Sequence, residues 1–287
     1  MLEAVMTQGA CLCGAVRYEV AGPFSMAIHC HCSMCRKHHG SAFATFASAP
    51  LMGFRWLGGH DHVVKYQSSL QGERAFCKGC GSVAPTLIKA MDLVIVPAGN
   101  LLGEVDLPPA RHVFVGSKAP WYEIADALPQ HEEYPPEFGA LGVARPEVHT
   151  PPGVVAGSCL CGQVAYEITG SAMRIRHCHC TRCRRARSAA HATNALYKLA
   201  HFHFTRGEAQ VSDYKLPDAQ FFAVAFCSHC GGEMPRISRE RGFVIVPAGS
   251  LDTDPAVPTP PMHIFTGSKA NWFDITDHFE QFVEQQA

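Results

Sequence analysis

Fourteen cysteines fall into two sets of seven that repeat the same spacings: CxC, then CxCxxC, then CxxC. The first set is Cys11 and Cys13, then Cys30, Cys32 and Cys35, then Cys77 and Cys80. The second is Cys159 and Cys161, then Cys178, Cys180 and Cys183, then Cys227 and Cys230. Thiolates at knuckle spacing are soft ligands of the kind that selects zinc. A closed structural zinc takes four protein ligands, whereas a reactive one keeps three and leaves a position for solvent or substrate. Seven divides as four plus three. The CxxC of FCKGCG and FCSHCG is half of a closed site, and the CxC pair supplies the other half. Cys11, Cys13, Cys77 and Cys80 are therefore expected to hold one zinc, and Cys159, Cys161, Cys227 and Cys230 its counterpart. The triads Cys30, Cys32, Cys35 and Cys178, Cys180, Cys183 are expected to form open zinc sites, giving two zincs per half. A thiol that enters an open position loses its proton and becomes a nucleophile near neutral pH. The alternatives are a triad closed by a nearby histidine, an iron–sulfur cluster on the same cysteines, and disulfides. Disulfides fit poorly with a chain of this size and no evident signal peptide.

The elements that position these groups also repeat. The first five cysteines of each set are 148 residues apart, and the last two are 150 apart, so the second half carries an insertion at KLPDAQ. VIVPAGN from Val94 recurs as VIVPAGS from Val244, and HVFVGSKAPW from His112 as HIFTGSKANW from His263. Between the copies, HEEYPPEFGALGVARPEVHTPPG is rich in proline, glycine and charge, as a linker is. The chain divides into 1–130, a first zinc domain; 131–153, a linker; and 154–287, a second zinc domain. Apolar residues alternate in short runs such as AVRYEV, AFATFAS and GFVIVPAG, which is the period of strands. APWYEIADAL and ANWFDITDHFEQFV read as a short helix closing each copy. The fold class is all-β, with a C-terminal helix in each half.

The global composition narrows the class of function. The 287 residues carry 24 basic and 25 acidic side chains, for a formal net charge of −1. That balance does not point to a polyanion, so nucleic acid is not an expected partner. The longest apolar runs fall far short of a membrane span, and the chain reads as soluble and cytoplasmic.

The pattern CxC, CHCxxCR, FCxxCG, PAGxL and HxFxGSKxxW resembles the glutathione-dependent formaldehyde-activating enzyme family, which includes centromere protein V-like proteins. The resemblance covers both halves. It implies a β-tent fold in each half, with a structural zinc on the four-cysteine sets and a catalytic zinc on Cys30, Cys32 and Cys35 and on Cys178, Cys180 and Cys183. It also implies a carbon–sulfur lyase reaction that joins a glutathione-like thiol to a small aldehyde such as formaldehyde. The rival reading is a non-enzymatic zinc scaffold that contacts a protein or nucleic acid.

The two copies differ beside the triads: Gly40, Phe43 and Phe46 correspond to Ser188, His191 and Asn194. A glycine allows a positive φ or a close approach, and the lost aromatics predict a more polar second pocket, which makes the first copy the better match to the family. The second copy concentrates Arg174, Arg176, Arg182, Arg184, Arg185 and Arg187, suited to substrate carboxylates, to thiolate charge, or to a solvated face. His29, His31, His177 and His179 alternate with the triad cysteines and should point away from them. Lys118 and Lys269 are suited to an anion or simply to a turn in which Trp121 and Trp272 anchor the core. The duplication predicts packing of the copies about a pseudo-twofold axis.

Overall fold

The structure, a computed structural model, describes residues 5–70, 72–135, 150–255 and 260–285. The first half contains β1 (Met6–Ala10), β2 (Arg17–Ala21), β3 (Met26–Cys30), α1 (Ser33–His39), β4 (Ala44–Pro50) and β5 (Phe54–Gly58). It continues with β6 (Val63–Gln67), β7 (Glu73–Cys77), β8 (Thr86–Ile88), β9 (Leu93–Pro97), β10 (Arg111–Val113) and β11 (Gln130–His131). The second half repeats this order: β12 (Val154–Ser158), β13 (Ala165–Thr169), β14 (Arg174–Cys178), α2 (Thr181–Arg187), β15 (Ala192–Lys198) and β16 (Phe202–Arg206). After these come β17 (Val211–Lys215), β18 (Ala223–Cys227), β19 (Glu233–Met234), β20 (Arg236–Ser238), β21 (Phe243–Pro247), β22 (Met262–Ile264) and β23 (Glu280–Gln281).

Each half is built on a six-stranded sheet, in the order β11-β10-β3-β4-β9-β8 in the first and β20-β21-β15-β14-β22-β23 in the second. A three-stranded sheet, β1-β2-β5 or β12-β13-β16, accompanies it. The period-two reading of the sequence is visible in β9, where Val94 and Val96 are fully buried and Leu93 and Ile95 are not. β3 pairs antiparallel with β4 and parallel with β10, which places the triad-bearing end of β3 inside the sheet rather than at its edge. β14 has the same position between β15 and β22.

The all-β class holds, but the closing helices do not form. Residues 119–128 and 270–279 run as turns and irregular chain. The reason lies in their aspartates. Asp126 accepts from the backbone N–H of Leu128 at 2.9 Å and from His112 Nε2 at 3.0 Å. Asp277 does the same for Phe279 and His263. A side chain that captures a nearby N–H competes with the helical ladder, and the chain then enters β11 or β23, parallel to β10 or β22. Among the described residues the α-helices are instead α1 and α2, each starting directly after the CxC of a triad. Of the segment read as a linker, residues 136–149 lie outside the described residues. Tyr134, near its start, packs edge-on against Phe114 with ring centroids 4.7 Å apart.

The halves share their interiors through reciprocal contacts. Trp272 belongs to the buried cluster around Tyr18, Phe43 and Val96, while Trp121 packs on the cluster around Tyr166, Ile175 and Val246. Lys37 donates to the Ser158 carbonyl at 2.8 Å and pairs with Asp252 at 2.6 Å; its counterpart Arg185 donates to the carbonyls of Ala10 and Cys11. Gly81 faces the Phe226 ring and Gly231 faces the Phe76 ring. Among the described residues, no helix is long and apolar enough to cross a membrane.

Candidate metal centres

The cysteines gather into the four groups expected from their spacing. The sulfurs of Cys11, Cys13, Cys77 and Cys80 all lie within 4.8 Å of one another, and so do those of Cys159, Cys161, Cys227 and Cys230. Individual separations are 3.4 Å for Cys11 to Cys13 and 3.7 Å for Cys13 to Cys77, and 3.4 and 3.9 Å for the matching pairs of the second half. Four sulfurs bound tetrahedrally to zinc at about 2.3 Å stand about 3.8 Å apart, so this donor set fits the metal, and the separations exclude disulfides. The turn after the CxxC brings the pair together: Gly81, at φ 75°, donates to the Cys77 carbonyl at 2.9 Å. Neighbouring thiols hold Cys80 well below the ordinary thiol range, and Cys159 likewise, so each quartet contains a sulfur poised as thiolate.

Cys30, Cys32 and Cys35 form the third group and Cys178, Cys180 and Cys183 the fourth. Cys30 ends β3, whereas Cys32 and Cys35 bracket the first turn of α1. The Cys32 sulfur is the helix N-cap, accepting from the Cys35 N–H at 3.3 Å, and Cys180 caps α2 in the same way at 3.4 Å. In the first triad, Cys30 and Cys32 hold Cys35 well below the ordinary thiol range, with the Arg74 guanidinium adding to the effect. Arg74 Nη1 and Nη2 both stand 3.6 Å from the Cys35 sulfur. Burial opposes the Arg74 charge, but the Cys35 and Cys32 sulfurs more than offset this and hold it above the usual arginine range. In the second triad, Cys178 and Cys183 press Cys180 down to about 3.

The alternating histidines turn away from the sulfurs, as strand geometry requires. His29 Nδ1 bonds Thr45 Oγ1 at 2.9 Å, and His177 bonds Thr193 at 3.1 Å. His31 Nε2 lies 2.8 Å from His112 Nδ1, and His112 Nε2 lies 3.0 Å from Asp126; His179, His263 and Asp277 repeat this chain. With Asp126 as acceptor, His112 donates from Nε2, so its Nδ1 accepts from His31 Nε2. That leaves His31 Nδ1 a buried acceptor without a partner. Burial, with the neighbouring His112, lowers His31 to about 3, so its imidazole is neutral at physiological pH. His112, Asp126, His263 and Asp277 were not singled out from sequence, although both His and Asp recur fourteen residues apart in the two copies. A cavity of about 710 Å³ opens between the halves, lined by His29, Asp126, Trp272 and Phe273, and no triad cysteine lines it. Lys118 donates to the Tyr122 carbonyl at 2.6 Å and Lys269 to that of Phe273, so these lysines close their own turns.

The copies diverge in ways the sequence only partly indicates. Phe43 and His191 pack against each other at 5.5 Å across the seam between the halves rather than lining the two triads. Phe46 packs on the first triad's cluster, whereas Asn194 accepts from Arg187 at 3.2 Å. Arg187 also forms a buried ion pair with Glu233. Burial presses Arg176 and Arg184 below the usual arginine range.

Gly40 and Ser188 both cap their helices in the left-handed conformation, at φ 60° and 53°, so φ alone does not explain the glycine. A Cβ on Gly40 would lie 2.7 Å from Glu233 Cβ and 3.0 Å from Pro247 Cβ. Opposite Ser188 stands Val83, whose carbonyl accepts the serine hydroxyl at 3.2 Å. Gly40→Ser is therefore expected to cost about 2–3 kcal/mol through overpacking and strain, and Ser188→Gly no more than about 1 kcal/mol. Urea denaturation of the two variants measures the difference, and equal losses would contradict it.

Comparison with known proteins adds an independent line. The profile of the family described as glutathione-dependent formaldehyde-activating enzyme matches residues 6–117 and 154–268. A protein of Halomonas elongata, provisionally given that same enzyme name, is 28% identical over 128 residues, which is 42% of this chain and 82% of that protein. An uncharacterized lyase of Schizosaccharomyces pombe is 33% identical over 75 residues, or 26% of this chain and 53% of its own length. A crystal structure of a Rhodobacter sphaeroides protein is 29% identical, covering 34% of this chain and 91% of that one, with a TM-score of 0.29.

Proposed function

This chain belongs to the glutathione-dependent formaldehyde-activating enzyme family, whose profile matches both halves, and from that premise we propose that it is a zinc-dependent carbon–sulfur lyase-type enzyme joining a small glutathione-like thiol to an aldehyde such as formaldehyde, or releasing it. The observation that supports this most is that each triad gathers three sulfurs and, among the described residues, no fourth Cys, His, Asp or Glu ligand. The quartets are the closed structural sites and the triads the open ones. Zinc, when bound, supplies a Lewis acid that lets a thiol act as a nucleophile near neutral pH.

The chain's own groups set the conditions for that chemistry. Cys30, Cys32 and Cys35 hold the site from one strand end and one helix turn, and Arg74 offsets part of the charge of three thiolates. The chain from His31 through His112 to Asp126 ties the end of β3 to β10 and the segment after it. As the substrate sulfur forms the carbon–sulfur bond, the carbonyl electron pair moves to oxygen, which takes a proton, and the thiol proton is released.

We also read the reciprocal contacts between the halves as a pseudo-twofold arrangement, within the division 1–130, 131–153 and 154–287. A reducing cytosol, which keeps all fourteen thiols available for metal, is the compartment that suits the site.

Exchange NMR of glutathione with isotope-labelled formaldehyde tests the reaction. Uncatalysed addition is fast, so the expected result is exchange above that background, lost on combining Cys32→Ala with Cys180→Ala in a protein that remains folded. Exchange no faster than in buffer would remove this reading.

A further inference from the structure

We infer that the two triads have diverged, the first sealed into the fold and the second presenting an arginine-rimmed surface to a thiol that carries carboxylates. This rests on the thiol reading of the triads above and adds which half receives the substrate and what recognises it.

The first triad is shut in. Cys30, Cys32 and Cys35 are 3%, 2% and 4% exposed, with Phe114 and Tyr134 packed on the cluster and the Arg74 guanidinium on Cys35. In the second half Phe265 keeps the place of Phe114 and packs with Phe282 on the cluster, but the other two covers have gone. The strand register that puts Arg74 opposite Tyr66 puts Val224 opposite Tyr214. The residue in the place of Tyr134, counted from the matched bonds of Phe114 to Glu133 and Phe265 to Glu284, is the exposed Gln285. Cys180 and Cys183 are accordingly part-exposed.

What replaces the covers is positive charge. Arg176 and Arg182 stand where the first half has Ile28 and Met34. Arg176 lies two residues before Cys178 on β14 and so shares its face of the sheet. Arg182 is exposed on the first turn of α2, two residues after its Cys180 cap; Arg184, which follows it on the same helix, keeps the place of Arg36 but is half-buried where Arg36 is buried. The Nε–H groups of Arg176 and Arg184 are buried without an acceptor among the described residues. Guanidinium groups with donors to spare match carboxylates in a planar, two-bonded geometry. A low-molecular-weight thiol with carboxylate groups satisfies both parts of this site, whereas a neutral thiol satisfies only the sulfur. The expectation from the aromatic residues of the first copy is thereby reversed, because Phe46 packs on the triad it flanks while Phe43 packs across the seam.

Alkylation of the folded full-length protein, read cysteine by cysteine by peptide mass spectrometry, tests this. Cys180 and Cys183 should react about tenfold or more faster than Cys30, Cys32 and Cys35, since thiol reactivity follows access. The anionic reagent iodoacetate should gain on neutral iodoacetamide at the second triad. That gain should fall about threefold in Arg184→Gln and in the exposed Arg182→Gln, each removing one charge-assisted contact. Tyr134→Ala should raise labelling at Cys32 and Cys35. Equal labelling of the two triads, whether fast or absent, would overturn the inference, as would a reagent preference indifferent to both arginine substitutions. Labelling as expected in a protein without thiol–aldehyde exchange upholds the asymmetry and removes only the reaction.

Discussion

Cys80→Ala is expected to unfold the whole chain, not the first half alone. The substitution takes one ligand from a closed quartet, and a structural zinc contributes on the order of 10 kcal/mol to folding. That is comparable with the entire stability of a typical domain, about 5–15 kcal/mol. The damage crosses the seam because Cys11, Cys77 and Cys80 belong to a buried cluster that includes Ala186 and Val224 of the second half. Thermal unfolding followed by circular dichroism should therefore show either no folded signal or one transition at a much lower temperature, and a strong chelator should act on the wild type in the same way. Two separate transitions, with the second half melting at the wild-type temperature, would contradict the shared interior.

Glu233→Ala carries the next largest expected effect. Glu233 is 1% exposed and pairs with Arg187, itself 6% exposed, so the alanine leaves a guanidinium buried without its counter-ion. Breaking a buried pair from one side costs about 3–5 kcal/mol. The corresponding residues of the first half, Val83 and His39, contain no such pair, so this cost is peculiar to the second half. Replacing both members, as Glu233→Val with Arg187→His, should recover much of the loss. Urea denaturation in which the single variant loses less than 1 kcal/mol would show that the pair is solvated after all.

The grouping of the sulfurs was legible in sequence because ligand spacing is local: a CxC, a CxCxxC and a CxxC each impose a turn, and four-coordinate geometry leaves few ways to combine them. Strands were legible where burial alternates, as in β9. The closing helices were misread because the apolar spacing around Trp121 and Trp272 serves the opposite half, while Asp126 and Asp277 spend their carboxylates on a backbone N–H and a histidine. Arg74 escaped notice because its partner Cys35 is 39 residues away and joins it through the fold alone. Gly40 was noticed for its freedom at positive φ, but its necessity comes from Glu233 across the seam, which no reading of one half supplies.

The division of each seven cysteines into a closed quartet and an open triad is the claim on which the rest depends. Elemental analysis of protein purified without chelator, for the wild type and for Cys32→Ala and Cys180→Ala, tests it most directly. The four groups of sulfurs predict four zincs in the wild type and three in each variant, with the fold retained. Two zincs in all three proteins would contradict the account, because the triads would then hold no metal and the open sites would not exist.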